Sequence, residues 1–530
     1  MASIYHLPFP FASVCSPDMP KKQEIYMPCV IWVTANTPDG VLLSEQQNRN
    51  WEYCFIFYKK QKEGSFMSNQ TRQKIGLFSC ILMAIGSIIG ASIFATTPVA
   101  IKIVGGNGVV LVFILAALVV VIRTLPELIM MAALPANGAS YMYLSRLVHP
   151  LLGVLETFNE LMVGVLKIAT MALTFSTYFA MLFPAIPPAL VAVAVCIIFT
   201  IISCYGIKAS ATVQNISVAV LIVALGVFIF GGLGATQVSF GEVISTTVQL
   251  SALWAAMGIM HGSLIGANVL IYAAEEVENP GKNIPVAFAI STGITAIIYA
   301  IMAYICVGVM PNFYAIDNLA TVASQYLPQA LLVFFITGGA LLAVVTSVNS
   351  AMLMFSRLNF AASRDGVLPY AVSKTNKYNA PFVSLWLIGI MASLFIISGF
   401  NLEDVVKITT IPGLLLSPIL FLGVFTIKKH YPYCYKNSYI KTPHWLNCFF
   451  AALAMVVCFM LGYYVLFQMQ PHNWIVMICY YVAAAIFVFF RYRQIKEKEG
   501  VSLFDKMRSK YQPWEEREQA LKAAEAGGET

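Results

Sequence analysis

Twelve long apolar runs, joined by short polar segments, fill the chain between residues 75 and 490. They fall at 75–99, 108–133, 151–183, 188–206, 212–234, 247–274, 284–309, 329–356, 382–399, 404–427, 446–468 and 473–490. A helix needs about 20 apolar residues to cross a hydrocarbon layer about 30 Å thick, so each run predicts a membrane-spanning helix. Two runs are interrupted. The first carries Gly86-Ser87-Ile88-Ile89-Gly90-Ala91-Ser92-Ile93-Phe94. The sixth carries Gly258, Gly262 and Gly266, and then gives way to the polar stretch Glu275-Glu276-Val277-Glu278-Asn279-Pro280-Gly281-Lys282-Asn283-Ile284-Pro285.

These interruptions lie five runs apart. Backbone that leaves the helix inside a bilayer is tolerated only where it faces protein or a wet cavity. Matching breaks in two five-helix halves predict an inverted repeat with a binding site near the bilayer midplane. Freed N–H groups at a half-helix N-terminus attract an anion such as a carboxylate, and freed carbonyls attract an ammonium. A second reading of the same glycines is close helix packing of the small-xxx-small kind.

Composition excludes a soluble globular chain. Of the 530 residues 59% are hydrophobic and 11% charged, and the mean hydropathy is +0.77. The net charge of +7 is distributed as a topology signal and gives no ground for nucleic-acid binding. Arg146, Lys208, Lys282, Arg357, Arg364, Lys374, Lys377, Lys428, Lys429, Lys436 and Lys441 fall on one side of the predicted membrane, against Lys102 and Lys407 near the other. Basic loops stay cytoplasmic, which predicts a multi-pass protein with both termini in the cytoplasm. The eleven cysteines are scattered without a CxxC pair, so neither a disulfide framework nor a metal site is expected. No nucleophile elbow, HExxH or phosphate-cradling GxxxxGK[ST] occurs, and neither an enzyme nor a cofactor is expected.

Ionisable residues within spans are expensive and mark candidates for function. Lys167 lies mid-depth in the third run, on one helical face with Glu156 and Glu160. It is read either as a proton-coupling group or as the partner of a structural ion pair. Arg123 and Glu127, four apart around Pro126, are read as an intrahelical ion pair or a cytoplasmic gate. His261 stands at the sixth-run break, as a pH-sensitive ligand or as an imidazole held by freed carbonyls. Thr346, Ser347, Asn349 and Ser350 offer either a sodium site or interhelical hydrogen bonds. Pro412, Gly413 and Pro418 predict a kink in the tenth run.

Four stretches together resemble the amino acid-polyamine-organocation (APC) superfamily. Gly86 to Phe94 resembles its first-helix signature, G-[ST]-I-I-G-x-G-I-F. Ala274 to Pro285 resembles the sequence after its sixth helix. Ser356-Arg357-Leu358-Asn359-Phe360-Ala361-Ala362-Ser363-Arg364-Asp365-Gly366-Val367-Leu368-Pro369 resembles the segment after its eighth, and Pro135-Ala136-Asn137-Gly138-Ala139-Ser140-Tyr141 the segment before its third. The resemblance covers roughly Arg72 to Arg491. It implies an all-α polytopic membrane protein with the LeuT-type fold, in which five-plus-five inverted helices (about 75–234 and 247–427) are joined by two peripheral ones (446–490).

It further implies an amino acid permease of the plasma membrane, working by alternating access as an antiporter (exchanger) or proton symporter. An alternative is an amino-acid or polyamine-binding membrane receptor without significant transport. Carried onto this chain, the substrate carboxylate meets the N–H groups of Gly90, Ala91 and Ser92. The amine meets carbonyls near Ile88 and at Met260, His261, Gly262 and Ser263, with Ile89, Ile93, Ile265 and Asn268 completing the substrate-binding set. The chain departs from the pattern at Ser92, where the motif has glycine, at Gly262, where many members carry an aromatic gate, and at Leu221, where proton-coupled relatives keep a lysine. Lys167 is the candidate replacement for that lysine. No carboxylate falls within either break, which favours a neutral amino acid over a polyamine. Oligomeric state stays open.

Residues 1–66 share none of this pattern and include no apolar run long enough to span. They read either as a disordered cytosolic tail or as a translated leader ahead of a start at Met67, since Lys62-Glu63-Gly64 is what a purine-rich ribosome-binding stretch encodes. The transporter domain is expected at 67–491, and 492–530 as a cytosolic tail with a regulatory role or no specific role. Intact-mass spectrometry of the natively expressed protein is expected to show a chain starting at Met67; peptides from residues 1–60 would contradict the leader reading.

Overall fold

Prolines open several of the long helices and glycines close them, which is why the polar joints stay short. Pro150, Pro188, Pro280 and Pro471 begin helices, where a missing N–H costs nothing. Gly105 and Gly500 end them in the left-handed conformation. The computed structural model describes residues 74–105, 108–238, 249–399, 402–467, 469–509 and 511–527. The two readings of residues 1–66 lie outside them.

The helices in chain order are α1 (Leu77–Val104), α2 (Val109–Ala133), α3 (Pro150–Leu182), α4 (Pro188–Ser203), α5 (Ile207–Ala235) and α6 (Leu250–Tyr272). They continue as α7 (Pro280–Val309), α8 (Gln329–Arg364), α9 (Phe382–Ile397), α10 (Leu402–Leu415), α11 (His444–Leu466) and α12 (Pro471–Glu499). Among the described residues nine helices are long and apolar enough to cross a membrane, and shorter apolar helices occur at Leu77–Gly90, Pro188–Ser203 and Phe382–Ile397. The chain is therefore a polytopic, all-helical membrane protein. Its surface is correspondingly apolar: Phe230 is 80% exposed and Leu394 62%.

Several boundaries lie away from expectation, with α1 running on to Val104, α5 beginning at Ile207 and α7 at Pro280, and three others show a physical cause. The α8 helix continues past 356 to Arg364, so the stretch expected to follow the eighth helix is helical over most of its length. It continues because its basic residue is neutralised in place: Arg357 Nε and Nη2 donate to the two Glu276 carboxylate oxygens at 2.7 and 3.0 Å. Likewise α12 runs past 490 until Gly500. The tenth run breaks at Ser417–Phe421 and resumes as Leu422–His430, so its irregular turn lies at Pro418 and not at Pro412, which sits inside α10.

At the bundle's centre α1 packs against α5, α6, α7 and α8, while α3 packs against α8 and α10. The Glu275–Pro285 stretch is a junction more than a cap. Ile75 N–H donates to the Glu276 carbonyl and Glu278 N–H to the Ile75 carbonyl, both at 3.0 Å. Asn137 and Glu275 exchange two hydrogen bonds at 3.2 Å, N–H to side chain in each direction. Arg146 pairs with Asp365 at 2.8 Å, and Tyr141 donates to the same carboxylate. Three of the four sequence signatures thus meet at one end of the bundle.

The C-terminal tail docks on this junction. Its helices Leu503–Arg508 and Gln512–Gly527 bury Leu503, Met507 and Trp514. Trp514 Nε1 donates to the Pro135 carbonyl at 3.0 Å, and its ring stacks on Tyr143. Tyr511 donates to Glu275, and Glu518 accepts from the N–H groups of Tyr433 and Cys434 at 2.9 and 2.7 Å. Truncating a buried Trp to Ala costs about 3–5 kcal/mol, which is enough to release a short tail. Trp514→Ala is expected to make trypsin cleavage after Arg517 and Lys522 fast while the membrane core stays intact; unchanged cleavage would contradict the docking.

Candidate functional site

Two glycines bring the interrupted helices into backbone contact. α1 is regular except at Gly90, whose φ of −22° and ψ of −158° lie outside the helical region. A Cβ built there would stand 1.3 Å from Ser347 Oγ, so α8 closes directly on the break. α6 departs from α-geometry at Ile265–Asn268, a tighter turn after which the helix resumes for Val269–Tyr272. A Cβ on Gly266 would stand 2.2 Å from the Ser87 carbonyl oxygen and 2.7 Å from the Ile88 nitrogen. Close packing and helix interruption, set apart as alternatives in the sequence, occur together here.

The α6 break lies later than expected. Met260, His261, Gly262 and Ser263 all belong to the regular helix Leu250–Leu264, and the irregular turn begins only at Ile265, beside Gly266, which meets the α1 backbone. The Ile88 carbonyl, an expected amine ligand, already accepts a hydrogen bond from Tyr299 at 2.5 Å. Gly262 faces open space, with no heavy atom within 4 Å of a Cβ placed there, so no neighbour fills the volume of the missing aromatic ring. Ser263 meets Thr96 of α1 at 2.7 Å between hydroxyls.

Beside this junction is a cavity of about 150 Å³, walled by α1, α2, α3, α6, α8 and α10. One water needs about 10–15 Å³ on such a measure, so there is room for a small organic solute. Of the expected substrate residues His261, Gly262, Ser263, Ile265 and Asn268 lie on the wall. Ile88, Ile89, Ile93 and Met260 do not; they are buried in the core against neighbouring helices. The side chains of Ala91 and Ser92 lie outside the described set.

The coupling and gating candidates gather here as well. Arg123, Glu160 and Lys167 line the cavity. Arg123 pairs with Glu127 at 3.0 Å, as the intrahelical reading expects, and Glu127 also accepts from Asn268 Nδ2 at 2.7 Å, tying α2 to the α6 break. Glu160 forms no ion pair with Lys167; its Oε1 accepts from Ser417 Oγ at 3.1 Å. Glu156 lies off the cavity and accepts from Asn159 instead, because the strip facing the cavity passes through Glu160 and Lys167 but not one turn earlier. The α8 hydroxyls serve interhelical bonds: Thr346 donates to the Gly86 carbonyl at 2.8 Å, and Gln214 bridges Asn349 and Ser350 at 3.1 Å each.

A family model of amino acid permeases matches residues 75–498. The chain belongs to the amino acid permease family. It is a transporter of the APC superfamily, not an enzyme. The permease is 26% identical over 405 residues to the methylthioribose transporter of Bacillus subtilis (strain 168), covering 71% of this chain and 86% of that one. It is 25% identical over 385 residues to the branched-chain amino acid permease BcaP of the same organism, covering 68% and 82%. With the large neutral amino acids transporter small subunit 2 of Oryctolagus cuniculus it shares 29% over 322 residues, covering 56% and 59%.

Several wall residues of the permease were not singled out in the sequence. Val163, Thr170 and Thr174 extend the strip of Glu160 and Lys167 at steps of three and four, and that spacing was readable. Ser417 and Thr410 of the tenth run gave no comparable signal, since their facing depends on where the run breaks.

The two α6 glycines predict opposite outcomes. Overpacking costs about 1–3 kcal/mol, and here the obstacle is backbone that cannot swing away. Gly266→Ala is expected to lower the apparent melting temperature of the purified permease, whereas Gly262→Ala leaves it unchanged. Equal effects at both positions would contradict the contact.

Proposed function

We propose that the permease is a secondary active transporter that moves amino acids across the plasma membrane by alternating access. In this reading twelve helices span the membrane, α1–α5 and α6–α10 are the two inverted halves, α11 and α12 are peripheral, and both termini are cytoplasmic. The observation that carries it is the polar-lined cavity beside the contact of the two interrupted helices, since paired helix breaks near the bilayer midplane are where such transporters bind their substrates. Two relatives named as amino acid carriers support the substrate class. The substrate backbone binds at the α1 and α6 breaks, with Gly90, Ala91 and Ser92 on the carboxylate and the end of the α6 helix at Ser263 and Ile265 nearer the amine.

Lys167 is the coupling residue of this reading. It stands on the cavity wall without an ion-pair partner among the described residues, and Leu221 of α5 is fully buried in the core.

Counterflow into proteoliposomes tests the transport reading: vesicles preloaded with an unlabelled amino acid are expected to accumulate the labelled one. Binding without counterflow would favour a receptor. Acceleration by internal substrate marks exchange, and uptake into empty vesicles driven by a pH gradient marks symport. Lys167→Met is expected to flatten the difference between uptake at about pH 5.5 and about pH 7.5; an unaltered pH profile removes Lys167 from coupling.

A further inference from the structure

The cavity wall, from α3 to the α6 break, holds more hydrogen-bonding capacity than a site for aliphatic side chains needs. Glu160 is 5% exposed and uses one carboxylate oxygen on Ser417, while Oε2 has no protein partner. Asn268 is 4% exposed and gives its amide N–H to Glu127, leaving Oδ1 without a partner. His261 Nε2, on the same wall, is also unpartnered. Lys167 adds ammonium donors, and no carboxylate among the described residues pairs with it. All four residues line one cavity.

Burying polar atoms without partners is costly, so what enters such a space is selected for the bonds it restores. Arg123 on the wall is paired with Glu127, and the wall carries one further formal charge of each sign, on Glu160 and Lys167, which form no ion pair with each other. A cationic or anionic side chain would add an unmatched charge, and an aliphatic one would strand the acceptors. We propose that the cavity selects solutes whose side chain is uncharged yet carries both hydrogen-bond donors and an acceptor, with the carboxamide as its simplest amino-acid form. A carboxamide offers two N–H donors for Glu160 Oε2 and Asn268 Oδ1, and a carbonyl for Lys167. Glu160 is thereby the specificity-determining residue, distinct from the backbone groups that hold the part common to all amino acids. The proposal rests on the transport-site reading above and names its substrate class.

Glutamine and methionine have nearly the same length and shape, so their ratio isolates the polar requirement. A site built to bond a polar group rejects an analogue lacking it strongly, and even a partly hydrated one should discriminate by about tenfold or more. The full-length purified protein is tested in two ways, by thermal shift for binding and by counterflow for transport. The expected result is that glutamine or asparagine stabilises the protein and competes for uptake at least about tenfold better than methionine or leucine, with lysine and glutamate weaker than glutamine. Glu160→Met is expected to bring the glutamine-to-methionine ratio close to one. Methionine or leucine equal to or better than glutamine in the native protein overturns the proposal, and needs no variant to fold. A polar preference in binding with no counterflow supports the proposal and sinks only the transport reading. Counterflow without polar preference does the reverse.

Discussion

Everything at the centre of this protein depends on the backbone contact between Gly266 of α6 and Ser87–Ile88 of α1. A side chain at Gly266 would overlap carbonyl and amide atoms that belong to another helix and cannot rotate away. Close to that contact α1 is non-helical at Gly90 and α6 is tightened at Ile265–Asn268. Both interruptions thus lie at one close approach, and the cavity opens beside it. In a bilayer, where lipid offers no hydrogen bonds, this is also where polar residues from α2, α3, α8 and α10 can be accommodated.

A second assembly fixes one end of the bundle. Ile75, Asn137, Glu276 and Arg357 join the start of α1, the segment before α3, the segment after α6 and the late turns of α8. Trp514 and Tyr511 of the tail close over the same place. Ion pairs this deeply buried contribute little net stability once desolvation is counted, but removing one partner is strongly destabilising.

Much of the architecture was legible in the sequence because the bilayer enforces it. Apolar run length fixed the helix starts closely at Pro150 and Pro188, where proline stood at the boundary, but placed the end of α1 short of Gly105. It failed where a charge was neutralised from afar: Arg357 read as the end of a helix, yet Glu276 allowed α8 to continue to Arg364. The breaks were legible as glycine-rich stretches, but not their register. Gly258, Gly262 and Gly266 look alike in sequence, and only the partner across the interface distinguishes Gly266, which touches α1, from Gly262, which touches nothing. The polar wall was half legible: Glu160 and Lys167 share a readable face and Asn268 was expected from the resemblance, while Ser417 joins it through tertiary contacts that no local pattern encodes.

Gly262 also provides the most direct test of the central claim that the space beside the two breaks is where substrate resides. In a variant whose native cysteines are replaced, Gly262→Cys places a single thiol on the cavity wall at a position with room for it. The rate of its modification by a small polar thiol reagent is measured with and without a transported amino acid. The account predicts that the thiol reacts and that saturating substrate slows the reaction. A thiol that reacts at the same rate with substrate bound would place the substrate elsewhere and contradict it.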